Sequence, residues 1–243
     1  MISVCMATYN GEKYIFKQLE SILSQLEVDD ELIISDNLSD DGTLEIIKSF
    51  NDQRIKLFTL EHDPILLQSF KGVEKTITKN FENALKRAKG EYIFLSDQDD
   101  IWNKNKVAES IKHLGKYDLV MSNAELIDGH GNTVKDKLYN DNPINAKVLS
   151  FRHRGCLLAF KRNILSISLP FPKNLLYHDY WIGILAESAG QTLFIDQPLV
   201  LHRRGIGNVS TDVTQGSNNS FFYKIKYRTI YFILCFNRII LNR

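Results

Sequence analysis

Between residues 2 and 96 the chain alternates short β-type apolar runs with amphipathic helical stretches, and that alternation restricts it to a sheet of parallel strands joined by helical crossovers. Residues 2–7 (Ile-Ser-Val-Cys-Met-Ala) read as a buried strand, and residues 31–35 as a second. Between them, residues 13–25 read as a helix with Tyr14, Leu19, Ile22, Leu23 and the following Leu26 on or near one face. Residues 43–50 are helical in pattern, 55–59 extended, 78–88 helical with Gly90 just beyond, and 92–96 (Tyr-Ile-Phe-Leu-Ser) a fourth strand. Right-handed crossovers then give the expected fold class: α/β, a doubly wound, mostly parallel sheet with helices on both faces. Past residue 114 the pattern loosens. A strand is expected at 119–123, a turn at Gly129 and Gly131, a polar loop at 139–144, an apolar run at 155–160 and a helix at 180–189. Short strands follow at 192–195 and 199–202, then a Gly-, Ser- and Asn-rich stretch at 205–220 that reads as a flexible or ligand-ordered loop.

The 243 residues suffice for one large α/β domain, the organisation expected here, with a substantial core. A net charge of +1 gives no global attraction to nucleic acid or membrane, so no nucleic-acid partner is expected and any binding surface comes from local clustering. Cys5, Cys156 and Cys235 are widely spaced and odd in number, which argues against a disulfide framework and against a zinc site. They read as inert core thiols. The opening residues lack a basic n-region and a cleavage site, and no run reaches the roughly eighteen apolar residues of a membrane span, so a cytoplasmic location is expected.

The strand at 92–96 empties into Asp97-Gln98-Asp99-Asp100, three carboxylates within four positions. In an open α/β sheet ligands bind beyond the carboxyl ends of the strands, and a buried strand of this kind delivers the aspartates there. Carboxylates so close repel one another unless a cation or hydrogen-bond donors offset the charge, and hard oxygen ligands select Mg²⁺ or Mn²⁺ over zinc. The competing reading makes Asp97 and Asp100 turn and N-cap residues for a helix over 104–114. Neither a Gly-x-x-x-x-Gly-Lys-[Ser/Thr] loop nor a Gly-x-Gly-x-x-Gly turn is present. A nucleotide on this sheet is therefore expected to be held through metal and carboxylates.

Four ordered motifs carry a family resemblance: Val4-Cys5-Met6-Ala7-Thr8-Tyr9-Asn10-Gly11, then Glu31 to Thr43 with Ser35-Asp36-Asn37 at its centre, then Gly90-Glu91-Tyr92, then Asp97-Gln98-Asp99-Asp100. In order and spacing they resemble a family-2 glycosyltransferase of the GT-A fold. The Ser-Asp-Gln-Asp-Asp-Ile-Trp form, Gly155-Cys156, Leu169-Pro170-Phe171-Pro172 and His178-Asp179-Tyr180-Trp181-Ile182-Gly183 are similar to bacterial rhamnosyltransferase-like members. The resemblance implies a GT-A catalytic domain over residues 1–220, with a nucleotide-binding half at 1–115 and an acceptor-binding half at 116–220. A C-terminal amphipathic tail follows at 221–243. It further implies a nucleotide-sugar donor, with dTDP-rhamnose the donor expected, and a lipid-linked or polysaccharide acceptor in surface polysaccharide synthesis, with Mg²⁺ or Mn²⁺ as cofactor.

The resemblance also implies roles position by position. Asp97 and Asp99 form the Asp-x-Asp element that holds the donor's ribose and its diphosphate-bound metal, with Asp100 beside them. Thr8 and Asp36 fall where the family grips base and ribose. Asn37 stands where the family usually has a second aspartate, and its neutral amide oxygen is a weaker acceptor for a pyrimidine N–H. Asp179 is the candidate general base, with a plain N-cap as the alternative. His178, in place of an acid, and Trp181 are acceptor-side candidates, Trp181 being either a sugar platform or a core residue. His202 is a metal candidate, although the family's histidine falls nearer Gly205, and Arg203 or Arg204 a diphosphate clamp. Arg152, His153 and Arg154 face an anionic acceptor or form a solvated approach to a strand.

The tail mixes aromatic and aliphatic residues with Lys224, Lys226, Arg228, Arg238 and Arg243, which suits a peripheral anchor at anionic lipid or equally a helix packed on the domain or a partner copy. Two other functional classes remain open at this point: a non-catalytic sugar-nucleotide or glycan-binding protein on the same fold, and a metal-dependent nucleotidyltransferase. The missing basic phosphate loop counts against the second.

Overall fold

In the computed structural model, which describes residues 1–61, 69–144, 152–173, 175–204 and 221–240, the expected alternation from residue 2 to 96 is realised strand by strand. The elements are β1 (Ile2–Thr8), α1 (Ile15–Leu23), β2 (Glu31–Asp36), α2 (Thr43–Ser49), β3 (Ile55–Thr59), α3 (Phe70–Leu85) and β4 (Tyr92–Ser96). There follow β5 (Ile101–Trp102), α4 (Lys106–Leu114), β6 (Leu119–Ile127), β7 (Thr133–Lys135), a 3₁₀ turn (Gly155–Leu157), β8 (Leu158–Lys161), α5 (Arg162–Ser168), α6 (His178–Ala189), β9 (Thr192–Arg203) and α7 (Phe221–Ile240). They build one sheet in the order β3-β2-β1-β4-β8-β6-β9-β5, with β7 beside β6.

β1 to β4 pair in parallel, whereas β8 runs against both β4 and β6, and β5 against β9. Because β6 and β9 are parallel to one another, β1, β2, β3, β4, β6 and β9 all point the same way and the sheet is mostly parallel, as expected. Right-handed crossovers carry the chain outward through α1 and α2 and back through α3, which places α3 on the opposite face. The carboxyl ends of β1, β2, β4, β6 and β9 thereby share one edge. The first residues of β5 and β8, which run the other way, meet them there.

Several elements differ from expectation for local reasons. α3 begins at Phe70, well before residue 78, because Ser69 accepts a hydrogen bond from the Gly72 N–H at 3.2 Å and caps a first turn whose Gly72 is a weak helix former. The two short strands expected at 192–195 and 199–202 are one strand, β9, whose pairing with β6 shifts register around Asn123, opposite Pro198, which has no N–H to give the ladder. β5, β7 and α5 are too short or too polar to leave a periodic signal. The loop expected at 205–220 lies outside the described residues.

α7 packs against α6. The buried Tyr231 accepts from the Tyr177 N–H at 3.1 Å and donates to its carbonyl at 3.0 Å, while Arg238 donates to the carbonyls of Ile167, Leu169 and Pro170. The helix is thus docked on the domain by one face, and Ile230, Phe232, Ile233, Phe236 and Ile240 remain exposed on it. Among the described residues no helix is long and apolar enough to cross a membrane.

The opposite, amino edge of the sheet is closed by one buried carboxylate. Glu31, at the start of β2, accepts from Ser3 Oγ at 2.6 Å, from the Lys89 N–H at 2.7 Å and from Lys56 Nζ at 3.1 Å. Ser3 Oγ also accepts from the Gly90 N–H at 2.7 Å, an approach so close that a Cβ on Gly90 would lie 2.6 Å from Ser3 N. Burial pushes the Glu31 carboxyl up, but these donors outweigh it and hold its pKa below the ordinary 4.5. A depressed native pKa contributes stability above the unfolded value that is lost as pH falls through the native one. Glu31→Gln should therefore lower the unfolding free energy by about 1–3 kcal/mol near neutrality. In urea titrations the gap between wild type and variant should close as pH falls below 4.5.

Candidate active site

The carboxyl edge of the sheet is assembled from loops stitched to one another by side chains. After β1, Asn10 exchanges hydrogen bonds with Asp40 (Nδ2 to Oδ1, 2.8 Å; Asp40 N–H to Oδ1, 3.0 Å), and the Gly11 N–H donates to Thr43 Oγ1 at 2.7 Å. Gln98 clasps the same loop to the aspartate segment: its Oε1 accepts from the Tyr9 N–H and its Nε2 donates to the Tyr9 carbonyl, both at 2.9 Å. From α1, Gln18 donates to Ser96 Oγ at 2.6 Å and to the Asp97 carbonyl at 3.1 Å. Strand end, helix and two loops thus fix where the aspartates emerge.

Thr8 and Asp36 are register partners at the ends of β1 and β2, and Thr8 Oγ1 donates to Asp36 Oδ2 at 2.8 Å. Asp36 also accepts from the Ser39 N–H and hydroxyl, at 2.8 and 2.6 Å. Both are buried. Asn37 follows directly after β2; its N–H is donated to the Thr8 carbonyl at 2.9 Å, while its buried Oδ1 has no partner. Leu38, next in the chain, holds a positive φ of 60°, a conformation that costs a non-glycine residue of order 1 kcal/mol and shapes the turn that presents Asn37.

Asp97 and Asp99 are half-buried and Asp100 fully buried. Burial, then Asp100 and Asp179, push the Asp97 carboxyl up to about 7, against an opposing pull from Cys156 and Arg204. Burial, Asp100 and Asp97 likewise raise Asp99 to about 7. Asp100 goes the other way. Burial opposes its ionisation, but His202 Nδ1 at 2.9 Å and the Arg203 N–H at 3.0 Å hold its pKa below the ordinary carboxylate value. Asp100 is not the N-cap of α4, which is Asn105. The aspartates form a cluster of like charges for which the protein supplies too few donors.

His202, Arg203 and Arg204 arrive from the end of β9 and are all buried. Arg203 donates through Nε to the Asp99 carbonyl at 2.9 Å and through Nη1 to the Asp128 carbonyl at 2.8 Å, with its guanidinium 4.5 Å from the Tyr14 ring centroid. These bonds make it a strut for the aspartate loop. Arg204 faces Asp97 and Asp100; burial and the neighbouring Arg154 push its pKa below the usual guanidinium value. Arg152, in contrast, forms a bidentate ion pair with Asp141 at 2.7 Å, away from the aspartates, and His153 lies 3.1 Å from Glu187 of α6.

α6 delivers the remaining candidates. Asp179 sits in its first turn, where the N-cap position belongs to Tyr177, and its Oδ1 accepts from the Tyr180 N–H at 2.8 Å without capping the helix through its side chain. Its half-buried carboxylate lies close enough to Asp97 and to Glu74 of α3 to raise both. Trp181 is a correction. The ring is fully buried, its Nε1–H donates to the Ser168 carbonyl at 2.9 Å, and Arg238 covers it at 5.4 Å, so it is a core residue with no face for a sugar. His178 is buried too, stacked on Phe81 with ring centroids 4.0 Å apart.

The donor set fits a divalent ion. Asp100 Oδ2 and His202 Nε2 are buried without partners, and the raised Asp97 and Asp99 carboxyls mark negative charge that a cation would offset. Oxygen-rich ligands of this type suit Mg²⁺ or Mn²⁺.

Two contributors escaped the sequence reading. Glu74, whose carboxyl is raised to about 7 by burial and then by Asp179 and Asp97, belongs to the first turns of α3, ahead of the helix expected from residue 78. Lys106, fully buried, donates from Nζ to the Cys156 carbonyl at 3.2 Å and lies 5.1 Å from the Trp102 ring centroid; in sequence it is an ordinary helix-start lysine.

Comparison with known proteins follows this geometry. Residues 3–161 match the family model described as Glycosyl transferase family 2. The dTDP-rhamnosyl transferase RfbG of Shigella flexneri is 31% identical, covering 93% of this chain and 78% of that protein. The UDP-Glc:alpha-D-GlcNAc-diphosphoundecaprenol beta-1,3-glucosyltransferase WfgD of Escherichia coli is also 31% identical, covering 77% of this chain and 71% of that one. Among solved structures, S. aureus TarS 1-349 in complex with UDP-GlcNAc superposes with a TM-score of 0.71 at 21% identity, over 96% of this chain. This chain spans 66% of that TarS fragment, just under two thirds. The likeness shows the fold, which is the expected GT-A arrangement.

Arg203 joins two carbonyls through two different nitrogens of one rigid guanidinium. Arg203→Met should lower stability by about 2 kcal/mol in urea titration, from two lost charge-assisted bonds. Arg203→Lys should recover less than half of that loss.

Proposed function

Because the chain belongs to glycosyl transferase family 2, we propose that it is an inverting, metal-dependent glycosyltransferase acting in the synthesis of bacterial surface polysaccharide. In this reading it moves a sugar, rhamnose from dTDP-rhamnose in the first instance, from a nucleotide-sugar donor to a lipid-linked or polysaccharide acceptor. The observation that carries the reading is the crowding of Asp97, Asp99 and Asp100 at the carboxyl edge beside His202 and Arg204, with Thr8, Asp36 and Asn37 at the neighbouring strand ends. The rhamnosyl donor is favoured by the likeness to RfbG over most of both chains.

The donor's base and ribose are assigned to the cleft lined by Thr8, Asp36 and Asn37. The unpartnered Asn37 Oδ1 accepts the pyrimidine N–H, and Asp36, already fixed by Thr8 and Ser39, accepts from ribose or base. The diphosphate is assigned to the side of Asp97, Asp99, Asp100 and His202, where Arg204 contributes a guanidinium. A bound Mg²⁺ or Mn²⁺ supplies Lewis-acid stabilisation of the leaving diphosphate, worth several kcal/mol in the transition state.

Asp179 is assigned as the general base. It stands in the first turn of α6, close enough to Asp97 to raise that carboxyl. It takes the proton of the acceptor hydroxyl while that oxygen attacks the anomeric carbon from the face opposite the diphosphate, so one displacement inverts the configuration. Glu74 completes the acidic wall on that side. The exposed apolar residues of α7 favour contact with the membrane surface where a lipid-linked acceptor resides, at the inner face of the cell membrane.

Two variants separate donor binding from chemistry. Asp99→Ala should abolish the metal dependence of dTDP-sugar affinity in titration calorimetry, and unchanged affinity would sink the metal assignment. Asp179→Asn should keep donor affinity and lower kcat for transfer by about 10²- to 10⁴-fold, with the product's anomeric configuration read by NMR.

A further inference from the structure

Beneath the carboxylate rim lies a donor set of different chemistry. Cys156, in the turn before β8, places Sγ 3.7 Å from His202 Nδ1, which is itself 2.9 Å from Asp100 Oδ1. One ligand atom from each of Asp100, Cys156 and His202 falls within 4.8 Å of the others, and the three residues are only 1%, 1% and 6% exposed. They come from three separate elements: the loop after β4, the 3₁₀ turn and the end of β9. For comparison, tetrahedral zinc with ordinary bond lengths separates sulfur from nitrogen by about 3.6 Å and nitrogen from oxygen by about 3.4 Å. The sulfur to nitrogen distance is already there, and the nitrogen to oxygen distance needs about half an ångström of opening.

A second observation points to a ligand. Asp100 Oδ2 is buried without a hydrogen-bond partner, whereas buried polar atoms are paired in the great majority of cases, which leaves this oxygen free for an ion. Lys106 fixes the third donor, since its buried Nζ donates to the carbonyl of Cys156 and pins the peptide from which the thiol projects.

We propose that Asp100, Cys156 and His202 form a site for a thiophilic divalent cation of the zinc class, bound through one carboxylate oxygen, one thiolate and one imidazole nitrogen. Soft sulfur and imidazole donors select such ions over Mg²⁺, which takes oxygen ligands. Binding releases the Cys156 thiol proton to solvent, and the neutral imidazole keeps its single proton on Nε2 so that Nδ1 supplies the lone pair. Because Asp100 and His202 also belong to the proposed diphosphate side, occupancy by zinc competes with Mg²⁺ or Mn²⁺ there.

The test is a Co²⁺ titration of the whole chain without nucleotide, followed by absorbance. One equivalent should produce a thiolate-to-cobalt charge-transfer band in the near ultraviolet, bleached by one equivalent of Zn²⁺ and absent from a Cys156→Ser variant of unchanged far-ultraviolet circular dichroism. A wild-type protein without the band, or a variant that retains it, overturns the site. Zinc-edge X-ray absorption of the wild-type protein asks the same question should the variant not fold: a sulfur neighbour near ~2.3 Å supports the site and a shell of only nitrogen and oxygen overturns it. Neither readout involves a sugar nucleotide. A missing band with metal-dependent donor binding intact removes this inference alone, whereas a band without donor binding removes the transfer reading alone.

Discussion

Asp97, Asp99 and Asp100 leave the end of a buried strand within four positions, and their mutual repulsion is the constraint around which this edge of the molecule is arranged. The protein offsets part of it. Asp100 Oδ1 accepts from His202 and the Arg203 N–H, and Arg204 and Lys106 bring positive charge to the same region. Asp97 and Asp99 are left with raised carboxyls, a state that a divalent ion or an ion with a diphosphate resolves better than proton uptake does.

The sheet makes this arrangement affordable. At the amino edge, Glu31 binds Ser3, Lys89 and Lys56 and draws β1, β2 and the turn before β4 together, so the cost of holding strained charge at the other edge is carried by a well-packed framework. Gln18, Gln98 and Arg203 then transmit that rigidity to the aspartate loop through bonds to its backbone and to the adjoining Tyr9 segment. Positioning residues of this kind give a site on loops the precision of the scaffold beneath it.

Much of this was legible in the sequence. The parallel half could be read because its strands are buried on both faces and appear as continuous apolar runs, such as Ile93-Phe94-Leu95, between helices with a clear period. The aspartates, Thr8 and Asp36 could be placed because each follows such a run directly. The second half resisted because its elements are held by tertiary pairing: β5 is two residues long, and β9 passes through Pro198 with a shifted register. Trp181 illustrates the limit for single residues, since an aromatic side chain beside an acidic motif has the same letter whether it faces a cleft or, as here, the core. Cys156 is the converse case. Read alone it was an inert thiol, and only the fold brings it to His202 and Asp100.

On the proposed reading, the carboxyl edge binds a nucleotide diphosphate only together with a divalent ion. A thermal-shift series with dTDP, UDP and GDP, each in Mg²⁺, Mn²⁺ or EDTA, tests it most directly, because a ligand that binds only the folded state adds about 2.7 kcal/mol at a hundredfold excess over its dissociation constant. The account predicts a clear rise in Tm for a pyrimidine diphosphate with Mg²⁺ or Mn²⁺ and none in EDTA. An equal rise in EDTA, or no rise with any nucleotide and metal, would contradict it.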